Sequence, residues 1–154
     1  MKYYSLNKQS PAVDFEAATI LGQAPDKGLY FPESITPLAP EFFENIEKLG
    51  NEEIAFAAIQ QFVGDEIPAE TLKQIIAETL CFDFPTVPVE KDIYALELYH
   101  GPTMAFKDVG ARFMSRCLGY FNKDKKDNKN TVLVATSGDT GGAVASGFLG
   151  VQSV

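Results

Sequence analysis

Lys107, in the segment His100-Gly-Pro-Thr-Met-Ala-Phe-Lys-Asp108, is the residue whose type and surroundings most strongly suggest chemistry. Projecting residues 106–121 on a helix places it on a stripe whose other members are apolar, namely Ala111, Met114 and Leu118. A lysine on an inward face is rare unless it is paired or functional. Desolvation and the positive end of a helix both favour the neutral amine, which attacks an aldehyde to give a Schiff base. The alternative is a first-turn lysine whose amine reaches water.

The other stripe of this predicted helix is polar, and we expect it to face water. Its members are Asp108, Arg112, Ser115, Arg116 and Gly119. The helix over residues 106–121 would therefore be amphipathic, with Lys107 in its first turn.

A second candidate site is the glycine-rich segment Ser137-Gly-Asp-Thr-Gly-Gly142, which directly follows the apolar run Val132-Leu-Val-Ala-Thr136. A strand, a glycine turn and a helix N-terminus in this order form an anion site, because backbone N–H groups converge there. We expect a carboxylate or a phosphate to accept hydrogen bonds from Thr136, Ser137 and Thr140. The alternative is a tight turn without a ligand. The segment is neither a Walker loop nor a Rossmann fingerprint, since both of those glycine patterns are absent.

The chain divides into two parts near Pro85-Thr-Val-Pro88, and both candidate sites lie in the second part. We expect a mainly helical part over residues 1–85 and an α/β part over residues 86–154. In the first part, Asp14 is placed to cap a helix that Gly22 ends, and a short strand follows at residues 29–31. Apolar residues recur at helical spacing in residues 40–49, 52–63 and 68–80.

The second part alternates strands with helices. Predicted strands cover residues 87–89, 93–99 and 131–135, and predicted helices cover residues 106–121 and 141–149. Residues 122–130 interleave lysines with aspartates, which favours a solvated loop over a phosphate site. Strand, helix, strand and helix in this order predict the start of a parallel sheet with flanking helices and right-handed crossovers, with residues 131–135 buried. The predicted class is therefore α/β.

Composition limits the classes of partner. The formal net charge of −8 argues against nucleic acid and against an anionic membrane surface, because both are bound through Lys and Arg. No apolar run approaches the roughly 20 residues of a membrane helix, and the first residues lack a signal-peptide core. We expect a cytoplasmic protein with a small-molecule partner. Cys81 and Cys117 have neither disulfide nor zinc-site spacing, so both are interpreted as buried apolar residues and no metal is expected.

The two segments together resemble the threonine synthase family within the fold-type II pyridoxal-phosphate enzymes. The stretch His100-Gly-Pro-Thr-Met-Ala-Phe-Lys-Asp-Val-Gly-Ala-Arg-Phe-Met114 is similar to the family's cofactor-lysine signature, and Thr136-Ser-Gly-Asp-Thr-Gly141 follows in the family's order. A third match is Gly22-Gln-Ala-Pro-Asp-Lys-Gly-Leu-Tyr-Phe-Pro32, which looks like the family's amino-terminal block. The resemblance covers about the first third of the family's length.

The resemblance implies a lyase, dependent on pyridoxal 5'-phosphate, that converts O-phospho-L-homoserine and water to L-threonine and phosphate. This reaction is the last step of threonine biosynthesis. Lys107 would carry the cofactor and act as the base, with Phe106 and Asp139 beside the cofactor. The substrate carboxylate would be held by Thr136, Ser137, Gly138, Thr140 and Gly141. Many relatives carry Asn where this chain has Asp139, so that carboxyl group would have to share a proton with the cofactor's phenolic oxygen.

The resemblance ends before the family's distal loop for the cofactor phosphate and before the partner of the pyridine nitrogen. We therefore expect the 154-residue chain alone to bind the cofactor weakly and not to turn over. Two alternatives stay open. One is a threonine-synthase-like phospholyase, which eliminates phosphate without adding water, and the other is a non-catalytic module in which Lys107 has no chemical role. The sequence does not indicate an oligomeric state.

Overall fold

The structure is a computed structural model that describes residues 1–124 and 131–151. The chain divides into two units, Met1–Ala77 and Glu78–Val154. The boundary that the sequence suggests, at residues 85 and 86, stays a prediction.

The first unit is mainly helical and contains one small antiparallel sheet. Strands β1 (Tyr3–Ser5) and β2 (Tyr30–Pro32) pair with Tyr4 opposite Phe31. The helices are α1 (Phe15–Leu21), α2 (Pro40–Glu44), α3 (Asn51–Val63) and α4 (Ala69–Thr79). The buried core of this unit is made chiefly of aliphatic side chains from α3, α4 and their connection: Val63, Ile67, Leu72, Ile75 and Ile76.

Local side chains set where the helices of this unit begin and end. Asp14 caps α1 as predicted, because its Oδ1 accepts a hydrogen bond of 2.9 Å from the Ala17 N–H, and Gly22 ends the helix at a φ of 68°. The predicted helix over residues 40–49 is interrupted at Asn45. The Nδ2 of Asn45 donates to the Glu41 carbonyl at 2.8 Å, and a side chain bonded this way competes with the helical ladder. Residues Ile46–Lys48 continue as a 3-10 turn.

In residues 78–124 and 131–151, the second unit contains one hairpin and two helices. Strands β3 (Thr86–Glu90) and β4 (Ile93–Leu96) pair in antiparallel fashion, with Asp92 in the turn at a φ of 62°. Helix α5 (Asp108–Asn122) packs against α6 (Asp139–Phe148). The two helices approach each other closely at Gly147, where a Cβ atom would lie 3.0 Å from the Ala111 carbonyl carbon.

Two predictions for the second unit are wrong in the described residues. Both sheets are two-stranded and antiparallel, so the predicted parallel sheet is not formed there. The predicted buried strand over residues 131–135 is irregular, and Leu133 is 89% exposed. The physical reason is that a parallel strand exists only while neighbouring strands pair with its backbone, and no described strand pairs with this segment. The broader α/β class is confirmed.

The two cysteines differ. Cys117 on α5 is fully buried, as predicted. Cys81 is exposed, so the prediction for it is wrong. It follows α4 in an irregular segment, where the Nη2 of Arg112 lies 3.2 Å from its Sγ.

Residues 125–130 of the predicted polar loop lie outside the described residues. In the ranges 1–124 and 131–151, no helix has the length and apolar character needed to cross a membrane.

Candidate active site

Lys107 caps the N-terminus of α5, with a φ of −72° and a ψ of −12°. Its carbonyl accepts a hydrogen bond of 3.0 Å from the Ala111 N–H. The side chain is half-buried, and its Nζ lies 4.3 Å from the centroid of the Phe106 ring. Phe106 itself is 61% exposed. Lys107 is therefore neither buried in the core nor fully exposed, and both interpretations of its side chain stay predictions.

The polar stripe of α5 does not face water as predicted. Asp108 is 1% exposed and Ser115 is fully buried. The Nη1 of Arg116 donates to the Ser115 hydroxyl at 2.9 Å and to the Gly147 carbonyl at 3.1 Å. Thr103 in the loop before α5 bonds to Asp108, and Arg116 joins Ser115 to the Gly147 carbonyl of α6, so these polar groups have hydrogen-bond partners without water.

The apolar stripe agrees better with its prediction. Ala111 and Leu118 are buried, whereas Met114 is 41% exposed. Met114 lies on the side of α5 that lines an open pocket.

His100 forms a small polar cluster in the connection after β4. Its Nε2 lies 2.7 Å from the Oε2 of Glu97, and its ring stacks on that of Tyr99. The hydrogen bond with His100, together with one from Tyr99, holds the pKa of Glu97 below its usual value. His100 is thus a hydrogen-bonded residue near the end of a strand.

Thr136 organises the glycine-rich segment before α6. Its Oγ1 accepts hydrogen bonds from the Gly138 N–H at 2.9 Å and from the Gly141 N–H at 3.0 Å. Gly138 has a φ of 146°, which only glycine adopts readily. Two of the backbone donors expected to hold an anion are thus bonded to Thr136. Sequence reasoning missed this role, although a threonine next to a glycine turn is a known signal for it.

Lys107 and the start of α6 share an open pocket of about 520 Å³. Its walls are largely apolar, and Lys107 and Thr140 supply the polar side chains of its lining. Of the predicted site residues, Phe106, Lys107 and Thr140 line this pocket. Thr136, Ser137, Gly138, Asp139 and Gly141 lie beside Thr140 along the chain but do not line it.

The pocket is open to solvent and large enough to hold a small molecule. Its volume falls within the roughly 300–1,000 Å³ range of such pockets, and apolar walls with a few polar groups are typical of them. One amine beside apolar walls suits a flat aromatic aldehyde, because the amine can bond to the aldehyde while the walls contact the ring. The residues present therefore fit a pyridoxal cofactor.

Comparisons with known proteins identify the family of this chain. Residues 2–80 match the family model described as "Threonine synthase N terminus". Threonine synthase of Escherichia coli strain K12 is 39% identical, over 100% of this chain and 35% of that protein. The threonine synthase of Buchnera aphidicola subsp. Baizongia pistaciae is 41% identical, over 100% of this chain and 36% of that protein.

Solved structures give the same result. The PLP-bound threonine synthase from Brucella melitensis superposes with a TM-score of 0.92 at 34% identity, covering 99% of this chain and 34% of that one. The Escherichia coli crystal structure gives a TM-score of 0.90. This chain spans about a third of the length of these relatives. On the strength of the matched amino-terminal model and of these relatives, the chain belongs to the threonine synthase family.

Proposed function

We propose that Lys107 and the residues at the start of α6 form part of a fold-type II active site, the part that carries the cofactor lysine. We also propose that the intact protein acts in the cytoplasm. The intact protein that carries these residues converts O-phospho-L-homoserine and water to L-threonine and phosphate, the last step of threonine biosynthesis. The observation that carries the proposal is the pocket that Lys107 shares with Thr140. It supports the proposal because it places an amine and a hydroxyl group from the two sequence motifs at one cavity.

Lys107 would hold pyridoxal 5'-phosphate through a bond from its Nζ to the aldehyde carbon of the cofactor. Phe106 would lie beside the cofactor, and Asp139 would lie near its phenolic oxygen. When bound, the cofactor supplies an electron sink for charge that develops on the substrate's carbon atoms. The proton that Asp139 would share with the phenolic oxygen removes the repulsion between two negative groups.

We propose that Lys107 transfers the substrate's protons. As a free amine, its Nζ accepts a proton from the substrate's Cα and later one from Cβ. Phosphate leaves from the γ carbon, and the two protons are returned to the γ carbon and to Cα. The hydroxyl group of water adds at Cβ, and the remaining proton of that water goes to the released phosphate. Because the side chain is half-buried at a helix start, the amine is tethered to a rigid element and still has access to the pocket.

The substrate's carboxylate would be held at the start of α6 by Thr136, Ser137, Gly138, Thr140 and Gly141. Thr140 has the best support among them, since its side chain lines the pocket with Lys107. The Thr136 Oγ1 already accepts two backbone hydrogen bonds. The Thr136 hydroxyl group would therefore interact with the carboxylate by donating its hydrogen. Gly138 and Gly141 would then shape the loop and allow the ligand to approach the backbone.

Product analysis tests the proposal. The intact protein, loaded with pyridoxal 5'-phosphate and given O-phospho-L-homoserine, should release threonine and phosphate in equal amounts. Lys107→Ala should lower this rate by about 10²–10⁴-fold, the range of general acid–base catalysis. Lys123→Ala is the matched control, because Lys123 caps the other end of α5 and its Nζ also lies over an aromatic ring, 4.2 Å from the Tyr120 centroid.

The other outcomes would contradict the proposal. Formation of 2-oxobutyrate without threonine would identify a phospholyase that adds no water at Cβ. No product in any variant, from a folded protein, would favour a non-catalytic module.

A further inference from the structure

Asp108, the first residue of α5, is a buried carboxylate next to Lys107. It is 1% exposed. Its Oδ2 accepts a hydrogen bond of 2.9 Å from the Thr103 N–H, and its Oδ1 accepts one of 2.7 Å from the Thr103 hydroxyl. The unpaired N–H groups of a helix start also favour a negative charge at this position. Both carboxylate oxygens are therefore occupied by a residue earlier in the chain.

The Thr103–Asp108 pair, here called the clamp, encloses the residues that lead to Lys107. Inside this segment, the Met104 N–H bonds to the Gly101 carbonyl at 3.0 Å, and the Asp108 N–H bonds to the Ala105 carbonyl at 3.0 Å. Met104 has a φ of 54°, a conformation that a non-glycine residue keeps only when its surroundings fix it. Lys107 is the last residue enclosed by the clamp, so the clamp limits its backbone freedom.

Gly101 packs directly on the same carboxylate. A Cβ atom at Gly101 would lie 2.5 Å from the Oδ2 of Asp108 and 2.8 Å from its Cβ. The same atom would lie 2.9 Å from the Phe82 ring. Position 101 therefore has no room for a side chain, which explains the glycine. The loop before Lys107 packs against the Asp108 side chain.

We infer that Asp108 is a positioning residue for Lys107. It holds the 101–104 loop against the start of α5 and so fixes the direction from which the lysine side chain leaves the backbone. It acts through Lys107, because its two oxygens are already bonded and its side chain is buried. The inference rests on the proposed function only in taking Lys107 as the cofactor lysine.

Four variants of the intact protein isolate the clamp. Asp108→Asn keeps the shape but replaces one acceptor oxygen by a donor, so one hydrogen bond from Thr103 is lost. Thr103→Val removes the hydroxyl group and leaves Asp108 unchanged. Thr103→Ser keeps both donors, the N–H and the hydroxyl group, and should behave like the unchanged protein. Ser115→Ala is the control for general loss of stability, because Ser115 is buried on the same helix and lies outside the clamp.

The first readout is amide hydrogen exchange in the cofactor-free protein, which needs no catalysis. In Asp108→Asn, the amides of residues 103–108 should exchange about 10- to 100-fold faster, as expected when a hydrogen bond to a charged group is lost. Thr103→Val should accelerate exchange in the same segment. Thr103→Ser and Ser115→Ala should leave that segment within about twofold of the unchanged protein, below the effect of one lost hydrogen bond.

The second readout is attachment of pyridoxal 5'-phosphate to Lys107, trapped with borohydride and mapped on peptides, followed by the kinetic constants. In Asp108→Asn and Thr103→Val, both the attachment rate and kcat should fall about tenfold or more, with a smaller change in KM. This split is expected because a misplaced catalytic group costs rate more than it costs substrate binding.

Two outcomes would overturn the positioning role. One is unchanged exchange and attachment in both Asp108→Asn and Thr103→Val. The other is an equal loss in Ser115→Ala, which would trace the effect to overall stability. Absence of label at Lys107 in the unchanged protein would instead reject the proposed function, and the exchange data would still decide whether the clamp exists.

Discussion

At the scale of single residues, Asp26 organises the block from Gly22 to Pro32. Its carboxylate accepts hydrogen bonds from the Ser5 hydroxyl at 2.6 Å and from the N–H groups of Gln9 and Gly28, both at 2.9 Å. These bonds, the one from Ser5 first, lower the pKa of Asp26 from 3.8 to about 2. Asp26 thus joins the amino-terminal block that resembles the family to the preceding segment that contains Ser5 and Gln9.

The lowered pKa of Asp26 predicts a pH-dependent stability. Because the folded pKa lies below the ordinary one, the stabilisation is present above pH 3.8 and is lost as the pH falls through about 2. Asp26→Asn should therefore unfold at lower urea concentration near neutral pH, and this deficit should shrink across that acid window. Urea unfolding midpoints at several pH values measure it, with Asp65→Asn at an exposed position as control. A deficit that stays constant across the window would contradict the prediction.

The two cysteines should differ in reactivity. Burial raises the pKa of Cys117 to about 12, whereas Cys81 is exposed. Because the thiolate is the reactive form, an alkylating reagent at mildly alkaline pH should modify Cys81 in the folded protein and should reach Cys117 only after unfolding. Peptide mapping after alkylation, with and without urea, measures this. Equal labelling of both thiols in the folded protein would show that Cys117 is not buried.

On α5, the sequence predicted the burial of Ala111 and Leu118 but not the burial of Asp108 and Ser115. Helix projection assigns Asp108 and Ser115 to the solvent-facing side of the helix because it considers one helix by itself. In the structure, Thr103 in the loop before α5 bonds to Asp108, and the buried Ser115 bonds to Arg112 and Arg116 of its own helix. Periodicity within one helix predicts neither contacts with a preceding loop nor burial against a second packed helix, so it could not predict the burial of these two residues.

At the scale of elements, the packing of α5 on α6 depends on Gly147. Gly147→Ala would place a methyl group 3.0 to 3.2 Å from the backbone and Cβ of Ala111. The helices would have to separate, at a cost of about 1–3 kcal/mol in the free energy of unfolding. Gly142→Ala on the same helix is the matched control, since its methyl group would meet nothing within 4 Å. That variant should be neutral or stabilised by up to about 1 kcal/mol, because alanine favours helices.

Urea unfolding of the two variants gives both free energies. Equal stability of Gly147→Ala and Gly142→Ala would contradict the close packing of α5 and α6.

The start of α6 should depend on the hydroxyl group of Thr136. Thr136→Val removes the acceptor of the Gly138 and Gly141 N–H groups, which should cost about 0.5–2 kcal/mol, as for a lost helix cap. Thr136→Ser should retain most of the stability. Amide exchange at Gly138 and Gly141 measures the local effect, and it should rise in the valine variant alone. Unchanged exchange in that variant would mean that other acceptors hold the turn.

The helices could be predicted from the sequence more reliably than the strands. Helix α3 begins at Asn51, next to the predicted start at residue 52, because its apolar spacing and its ends are local features. Residues 131–135 have a strand-like composition but form no strand among the described residues. A strand requires a partner, and the identity of that partner is not encoded in the segment itself.

At the scale of the whole molecule, the chain spans about a third of the length of its threonine synthase relatives. The motifs of Lys107 and of Ser137 to Gly142 were recognisable from sequence, because residue identities carry them. Their shared pocket could not be predicted, since it depends on how α5 meets α6. The expectation that the 154-residue chain alone binds the cofactor weakly stays a prediction.

The central claim is that Lys107 carries the cofactor. Borohydride reduction of the intact protein with bound pyridoxal 5'-phosphate, followed by peptide mapping, tests it most directly. We predict that the label lies on Lys107, in large excess over Lys123 at the other end of α5. No label on Lys107, or the same amount on Lys107 as on Lys123, would contradict the claim.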